Sequence, residues 1–116
     1  MLDYDKIYAG FGENVGYYLD HAKHLDQEHS YVYTSQKGRL IRLANLAWIL
    51  MNQPADKSGC INLSLENILN LLSDGKDEKR ISPGVLRNYM KELGASIQIK
   101  FAYDTENGKI FIKPMK

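Results

Sequence analysis

The sequence contains one cysteine, Cys60, among its 116 residues. A single cysteine excludes an internal disulfide and is typical of a reducing compartment, where we expect the thiol to pack as a small hydrophobic group. The sequence also lacks a run of about 18 apolar residues, the length that a membrane-spanning helix needs. It does not open on the basic and then apolar segment of a secretory signal. These absences predict a cytoplasmic protein with no membrane contact.

A strong excess of one charge is missing as well. The chain carries 15 Lys and Arg against 14 Asp and Glu, a net charge of +1, whereas many nucleic-acid-binding domains are strongly basic. The distribution is uneven, because residues 1–73 have six basic and eight acidic side chains and residues 74–116 have nine and six. Since basic surface attracts phosphate, any nucleic-acid contact is expected in the second segment.

Patterns typical of catalysis or of cofactor binding are absent too. No Ser or Cys stands in a recognisable nucleophile context, and no carboxylates are paired in apolar surroundings. Gly10, Gly12 and Gly16 have GxGxxxG spacing instead of the GxGxxG of dinucleotide sites, so we expect them to form a turn between helices. The chain has three histidines, His21, His24 and His29. We expect them to be solvated and not to bind a metal. We therefore expect no enzyme, no cofactor and no metal.

The composition, 44% hydrophobic and 25% charged, matches an average globular domain with one core. Apolar spacing predicts an amphipathic helix over residues 14–26, capped by Asn14, with a shorter helix before it over residues 3–10. Residues 39–51 are apolar on nearly all sides and predict a central buried helix that ends before Pro54. Six of the eight tyrosines lie near the amino terminus, where they form either a cap on the core or an association surface: Tyr4, Tyr8, Tyr17, Tyr18, Tyr31 and Tyr33. Residues 31–34 fit an extra strand or an extended connection.

Two helices are predicted in the second half of the chain. The first covers residues 64–73, with Ser64 before an apolar stripe at helical spacing. The second covers residues 82–93. Ser82 is placed to cap it, Pro83 suits its first position, and Gly94 is expected to supply the left-handed residue at its end.

A β-hairpin is predicted after Gly94, where the hydrophobic period changes to two. Asn107 and Gly108 form the expected turn, because both residues tolerate the positive φ that short hairpin turns need. Residues 60–63 fit a short strand that pairs with this hairpin.

The second helix has one apolar and one polar face. Leu86, Met90 and Leu93 form the apolar stripe, and the opposite face carries the residues Gly84, Arg87, Asn88 and Lys91. Arginine reads guanine, asparagine reads adenine and lysine holds phosphate, so this face suits DNA, although the same residues are common on ordinary surface helices.

The order strand, helix, helix and two-stranded wing resembles the winged-helix family of DNA-binding domains found in bacterial, plasmid and phage regulators. The resemblance covers about residues 39–114 and rests on element order and periodicity. It implies an α+β winged helix-turn-helix, mainly helical with a small antiparallel sheet and a carboxyl-terminal hairpin wing. Residues 1–116 are then a single domain, with residues 1–38 as a helical extension and residues 39–116 as the winged-helix core. The implied DNA-binding residues are Lys79, Arg80, Ser82, Arg87, Asn88, Lys91, Lys100 and Lys109.

The resemblance implies a homodimeric regulator of transcription or of a mobile element that binds double-stranded DNA, with the dimer contact in the tyrosine-rich amino-terminal region. The DNA-binding module of a plasmid or phage replication initiator is an alternative, since GCINLSLENILNLL and KIFIKP are similar to such domains. A winged-helix module that binds another protein is the third interpretation. Asp104 and Glu106 at the wing tip and the near-zero net charge favour it.

Overall fold

The structure, a computed structural model, describes residues 3–27, 34–53, 55–72 and 81–115. Within these ranges the chain has an α+β fold, mainly helical with a small antiparallel sheet, as the sequence predicts. None of the helices in these ranges is long and apolar enough to cross a lipid bilayer. The elements are α1 (Tyr4–Gln27), α2 (Thr34–Met51), β1 (Cys60–Ile61), α3 (Leu65–Leu72), α4 (Pro83–Ser96), β2 (Ile99–Asp104) and β3 (Lys109–Pro114).

Helix α1 is continuous, and the predicted glycine turn between two shorter helices was wrong. Gly10, Gly12 and Gly16 all lie inside the helix. Gly10 is buried, and a Cβ there would lie 2.6 Å from Ile97 Cγ2, so the missing side chain permits close packing. Each helical glycine costs about 1 kcal/mol. A buried apolar stripe on the same helix offsets this cost. It consists of Ile7, Phe11, Tyr18 and Ala22.

Helices α1 and α2 pack against each other and supply much of the hydrophobic core. Phe11 of α1 and Leu46 of α2 are fully buried in the same cluster as Ile110 of the sheet. The predicted boundary at residue 38 therefore falls inside α2, and α1 shares its core with the elements that follow.

Helix α2 begins before the predicted segment and is not buried on all sides. It starts at Thr34, which the sequence analysis placed in a strand or connection over residues 31–34. Residues 31–33 of that prediction lie outside the described residues. Trp48 is 56% exposed, which corrects the expectation of a helix covered on nearly every side. The prediction was wrong because the apolar stripe of residues 39–51 is wider than the surface that α1 and the other described elements cover.

The predicted cap of α4 is confirmed, and Ser64 caps α3 in the same way. The Ser64 hydroxyl accepts from the Asn67 backbone N–H at 3.1 Å, and the Ser82 hydroxyl accepts from the Val85 N–H at 3.2 Å. Each bond satisfies one donor of the first helical turn.

Gly94 does not end α4 as predicted, because the helix continues to Ser96. A Cβ on Gly94 would lie 2.7 Å from the Ile99 carbonyl oxygen. The glycine thus permits a close approach between α4 and β2. The left-handed conformation falls instead on Gln98, with φ of 62°.

The strands form an antiparallel sheet in the order β1-β3-β2. Cys60 pairs with Phe111, which confirms the predicted pairing of the short strand with the hairpin. The hairpin loop covers residues 105–108, and only Gly108 has the positive φ expected for both turn residues. Asn107 has another role. Its backbone N–H and its side-chain amide donate to the two carboxylate oxygens of Asp104, at 3.2 and 2.8 Å.

If α1 belongs to the core, Phe11→Ala should lower the free energy of unfolding by roughly 3–5 kcal/mol, since it empties a fully buried ring site. Leu19→Ala on the same helix, where the side chain is 41% exposed, should cost less than about 1 kcal/mol. Urea unfolding measures both values. Similar small losses for the two variants would show that α1 is a dispensable extension.

Candidate nucleic-acid interface

One face of α4 presents the polar residues that the sequence singles out. Ser82 lies at its start, and Gly84, Arg87, Asn88 and Lys91 follow on the exposed side. We call these five residues the α4 face. The opposite side of the helix is buried in the core through Leu86, Met90 and Leu93. Within the described part of the chain, no hydrogen bond or ion pair engages the side chains of Arg87, Asn88 or Lys91.

A second polar row on α4 faces the neighbouring helices, and sequence reasoning missed it. The Arg42 guanidinium donates to the Tyr89 hydroxyl at 3.1 Å and lies 5.9 Å from the centre of its ring. One helical turn further, Glu92 forms an ion pair with Arg39. These partners are 47 and 53 residues apart, so no local pattern joins them.

The row ends at Ser96, whose hydroxyl accepts from the Asn14 side-chain amide at 3.0 Å. The sequence predicted Asn14 as a helix cap, but it lies inside α1 and is buried. Tyr18, also on α1, lies near Glu92 of this row. Its burial, and secondly the charge of Glu92, raise the pKa of the Tyr18 hydroxyl. The row thus fixes α4 against both α1 and α2 and leaves the α4 face directed outward.

The predicted wing residues lie on a different surface. Side chains of a strand alternate between faces, and Tyr103 points to α4, where its hydroxyl lies 3.7 Å from Met90 Sδ. Lys100 therefore points to the other, outer face of the sheet. Lys109 lies on that outer face too, directly opposite Asp104. The structure brings neither lysine onto the α4 face, and Lys79 and Arg80 lie outside the described residues.

The tip of the hairpin carries negative charge next to Lys109. Hydrogen bonds from Asn107, and more weakly the charge of Lys109, lower the pKa of Asp104. Hydrogen bonds from Ser58 and Cys60, again helped by Lys109, lower the pKa of Asp56. Both carboxylates are ionised at neutral pH and offset the Lys109 charge, so the tip attracts phosphate poorly.

The charge of Arg87 acts on a residue of the hairpin. Burial raises the pKa of Tyr103 on β2 to about 12, and the nearby positive charge of Arg87 acts in the opposite direction. Arg87 therefore lies on the part of α4 that is near β2.

No family model, curated protein or solved structure matches this chain.

The raised pKa of Tyr103 predicts a loss of stability in alkali. The folded protein keeps this proton up to about pH 12, whereas the unfolded chain loses it near pH 10.0, so the free energy of unfolding should fall as pH rises between these values. Tyr103→Phe should remove part of that fall. Urea unfolding at several alkaline pH values measures it, with Tyr17→Phe as the control at an exposed tyrosine. Equal slopes for the Tyr103 variant and the native chain would contradict the assignment.

Proposed function

We propose that this chain is a winged-helix protein that binds double-stranded DNA in a sequence-specific manner, with α4 as its recognition helix. The observation that carries the proposal is the α4 face, where Arg87, Asn88 and Lys91 are exposed together and make no hydrogen bond or ion pair through their side chains within the described residues. The order of α2, β1, α3, α4, β2 and β3, with β1 paired to the hairpin, supports the winged-helix assignment.

The size of α4 suits the major groove. Its 14 residues extend about 21 Å, and a major groove about 12 Å wide admits one helix. Gly84 and Lys91 are two turns apart, about 10 Å along the axis, which corresponds to roughly three base-pair steps. Arg87 and Asn88 lie between them and are the residues expected to reach base edges. Lys91 and the Ser82 hydroxyl are better placed for phosphates.

The polar row behind α4 favours this function because it restricts the helix. Arg42, Arg39 and Asn14 hold successive turns through Tyr89, Glu92 and Ser96. Recognition of base edges requires side chains held to within about half an ångström, which is easier on a supported helix than on a loop.

A homodimer is the assembly that best fits this interface. The wing lysines lie off the α4 face, so one copy makes few phosphate contacts, and a second copy doubles them. Helix-turn-helix dimers place their recognition helices about 34 Å apart on duplex DNA. The buried side of α1 is used in the core of its own chain, which leaves Tyr17, 58% exposed, as the aromatic of this helix open to a second copy. Such a dimer suits a regulator of transcription or of a mobile element, and a replication initiator uses the same contacts.

A protein-binding module is the competing function, and the acidic wing tip with Asp104 and Glu106 favours it. Binding to duplex DNA across a salt series separates the two. Affinity for DNA falls with salt with a logarithmic slope of about −0.9 for each phosphate contact. A protein-binding module has no such steep dependence on a DNA probe.

Within that experiment, Arg87→Ala or Asn88→Ala should cost roughly 1–3 kcal/mol on the preferred site and relax selection at one base pair. Lys91→Ala should weaken binding to all duplexes alike and reduce the salt slope by about 0.9. Lys23→Ala, an exposed lysine on α1, is the matched control and should change neither quantity. Folded α4 variants that bind duplex DNA as tightly as the native chain would refute the proposed interface.

For the dimer, sedimentation at concentrations well above micromolar should give twice the mass of one chain. Tyr17→Glu should yield a monomer with weaker DNA binding, because a charge replaces the exposed ring. Ala9→Glu adds the same charge on an exposed position of α1 about 12 Å away and should leave the dimer intact. A monomeric native chain would refute the dimer without affecting the α4 interface.

A further inference from the structure

The outer face of the sheet carries an aromatic residue that the core does not use. Cys60, Phe111 and Ala102 form a row across β1, β3 and β2, because their register pairs them directly. The alternate residues of the strands, such as Ile110 and Ile112, are buried against the helices. Phe111 lies outside the hydrophobic core and outside the side chains packed against it, and its ring is only partly buried. It therefore stands on the central strand, on the face of the sheet that is turned away from the described helices.

Basic side chains surround this ring. Lys113 Nζ lies 5.4 Å from the centre of the Phe111 ring, and Lys113 is directly opposite Lys100 in the sheet. Two like charges in a direct cross-strand pair destabilise a sheet. An anion between them removes this repulsion. Lys109 also lies on the outer face, but Asp104 and Asp56 offset its charge. The positive end of the face is thus the Lys100 and Lys113 end.

We propose that this outer sheet face binds single-stranded nucleic acid, with a base stacked on Phe111 and phosphates held by Lys100 and Lys113. A planar base and a phosphate on either side of it match an aromatic ring flanked by lysines. The exchange of partners at the ring is favourable. A cation–π contact at an exposed site is worth about two- to fivefold, whereas a base stacked on an aromatic side chain is worth roughly five- to 100-fold. The base displaces the Lys113 ammonium, which then turns to a phosphate.

The occupant is a single strand because a duplex keeps the faces of its bases inside its own stack and presents only their edges. The outer face shares no residue with the α4 face, so the inference does not depend on the proposed duplex binding.

The test is fluorescence anisotropy of the full chain with labelled oligothymidine and oligouridine strands of about 12 nucleotides. Phe111→Leu keeps an apolar side chain but removes the ring, and it should weaken binding roughly five- to 100-fold. Phe111→Tyr keeps a stacking surface and should bind within about threefold of the native chain. Lys100→Ala and Lys113→Ala should each reduce the salt slope by about 0.7, the value for one phosphate of a single strand.

Two controls separate this site from the α4 face. Lys23→Ala should leave single-strand binding unchanged, and so should Arg87→Ala, even where Arg87→Ala abolishes duplex binding. Binding of either strand that depends on Phe111 supports the site, and the preference between thymidine and uridine strands tells DNA from RNA. Unchanged binding by folded Phe111→Leu, or no binding of either strand by the native chain, overturns the proposal. The proposal is also overturned if Phe111→Leu changes the sedimentation mass of the protein but not its strand binding, because the face would then bind a second copy of the chain. Single-strand binding without duplex binding would refute the proposed duplex-binding function and leave this site intact.

Discussion

The close contact between α4 and β2 at Gly94 fixes the arrangement of the rest of the molecule. Any side chain at this position would meet the Ile99 carbonyl oxygen at 2.7 Å, so the helix lies as near to the strand as its backbone permits. Tyr103 and Phe101 then cover the apolar side of α4, and the hairpin is directed past the helix. As a result, the α4 face and the outer sheet face belong to different surfaces, each directed away from the shared core.

The polar row on α4 contributes more to geometry than to stability. Arg39 and Glu92 are each more than two-fifths exposed, and ion pairs of that kind are worth about 0–1 kcal/mol. The core side of the same helix, with Leu86, Met90 and Leu93 fully buried, supplies far more free energy. Burial of this stripe already sets which side of α4 faces the core, and the polar contacts on successive turns add directional hydrogen bonds to that packing. The direction of Arg87 and Asn88 therefore depends on both the apolar stripe and the polar row of α4.

The sequence predicted the features that depend on neighbouring residues. Ser64 and Ser82 cap their helices because a hydroxyl meets an N–H three residues away, and the alternation around Ile110 gives a strand whatever it packs against. Features that depend on distant residues were missed. Gly10 and Gly94 were interpreted as local breaks, yet each lies in a helix where another element passes closely. The pairs at either end of the polar row also depend on tertiary packing. The separation of the two predicted wing lysines from the α4 face depends on the register of the strands.

The electrostatics of the hairpin tip constrain the proposed role in DNA binding. Asn107 donates two hydrogen bonds to Asp104, so this carboxylate loses its charge only below the usual range of aspartate, and mild acid does not make the tip basic. In the proposed complex, a duplex on the α4 face meets the charge of Arg87 and Lys91 and is repelled by the acidic tip of the hairpin. Phosphate contacts supply most of the sequence-independent affinity of DNA-binding proteins. With few such contacts, the proposed complex binds random duplexes weakly, and a larger share of its affinity is then expected from Arg87 and Asn88 at base edges. In the proposed complex, the acidic tip thus lowers the total affinity and raises the ratio of specific to non-specific binding.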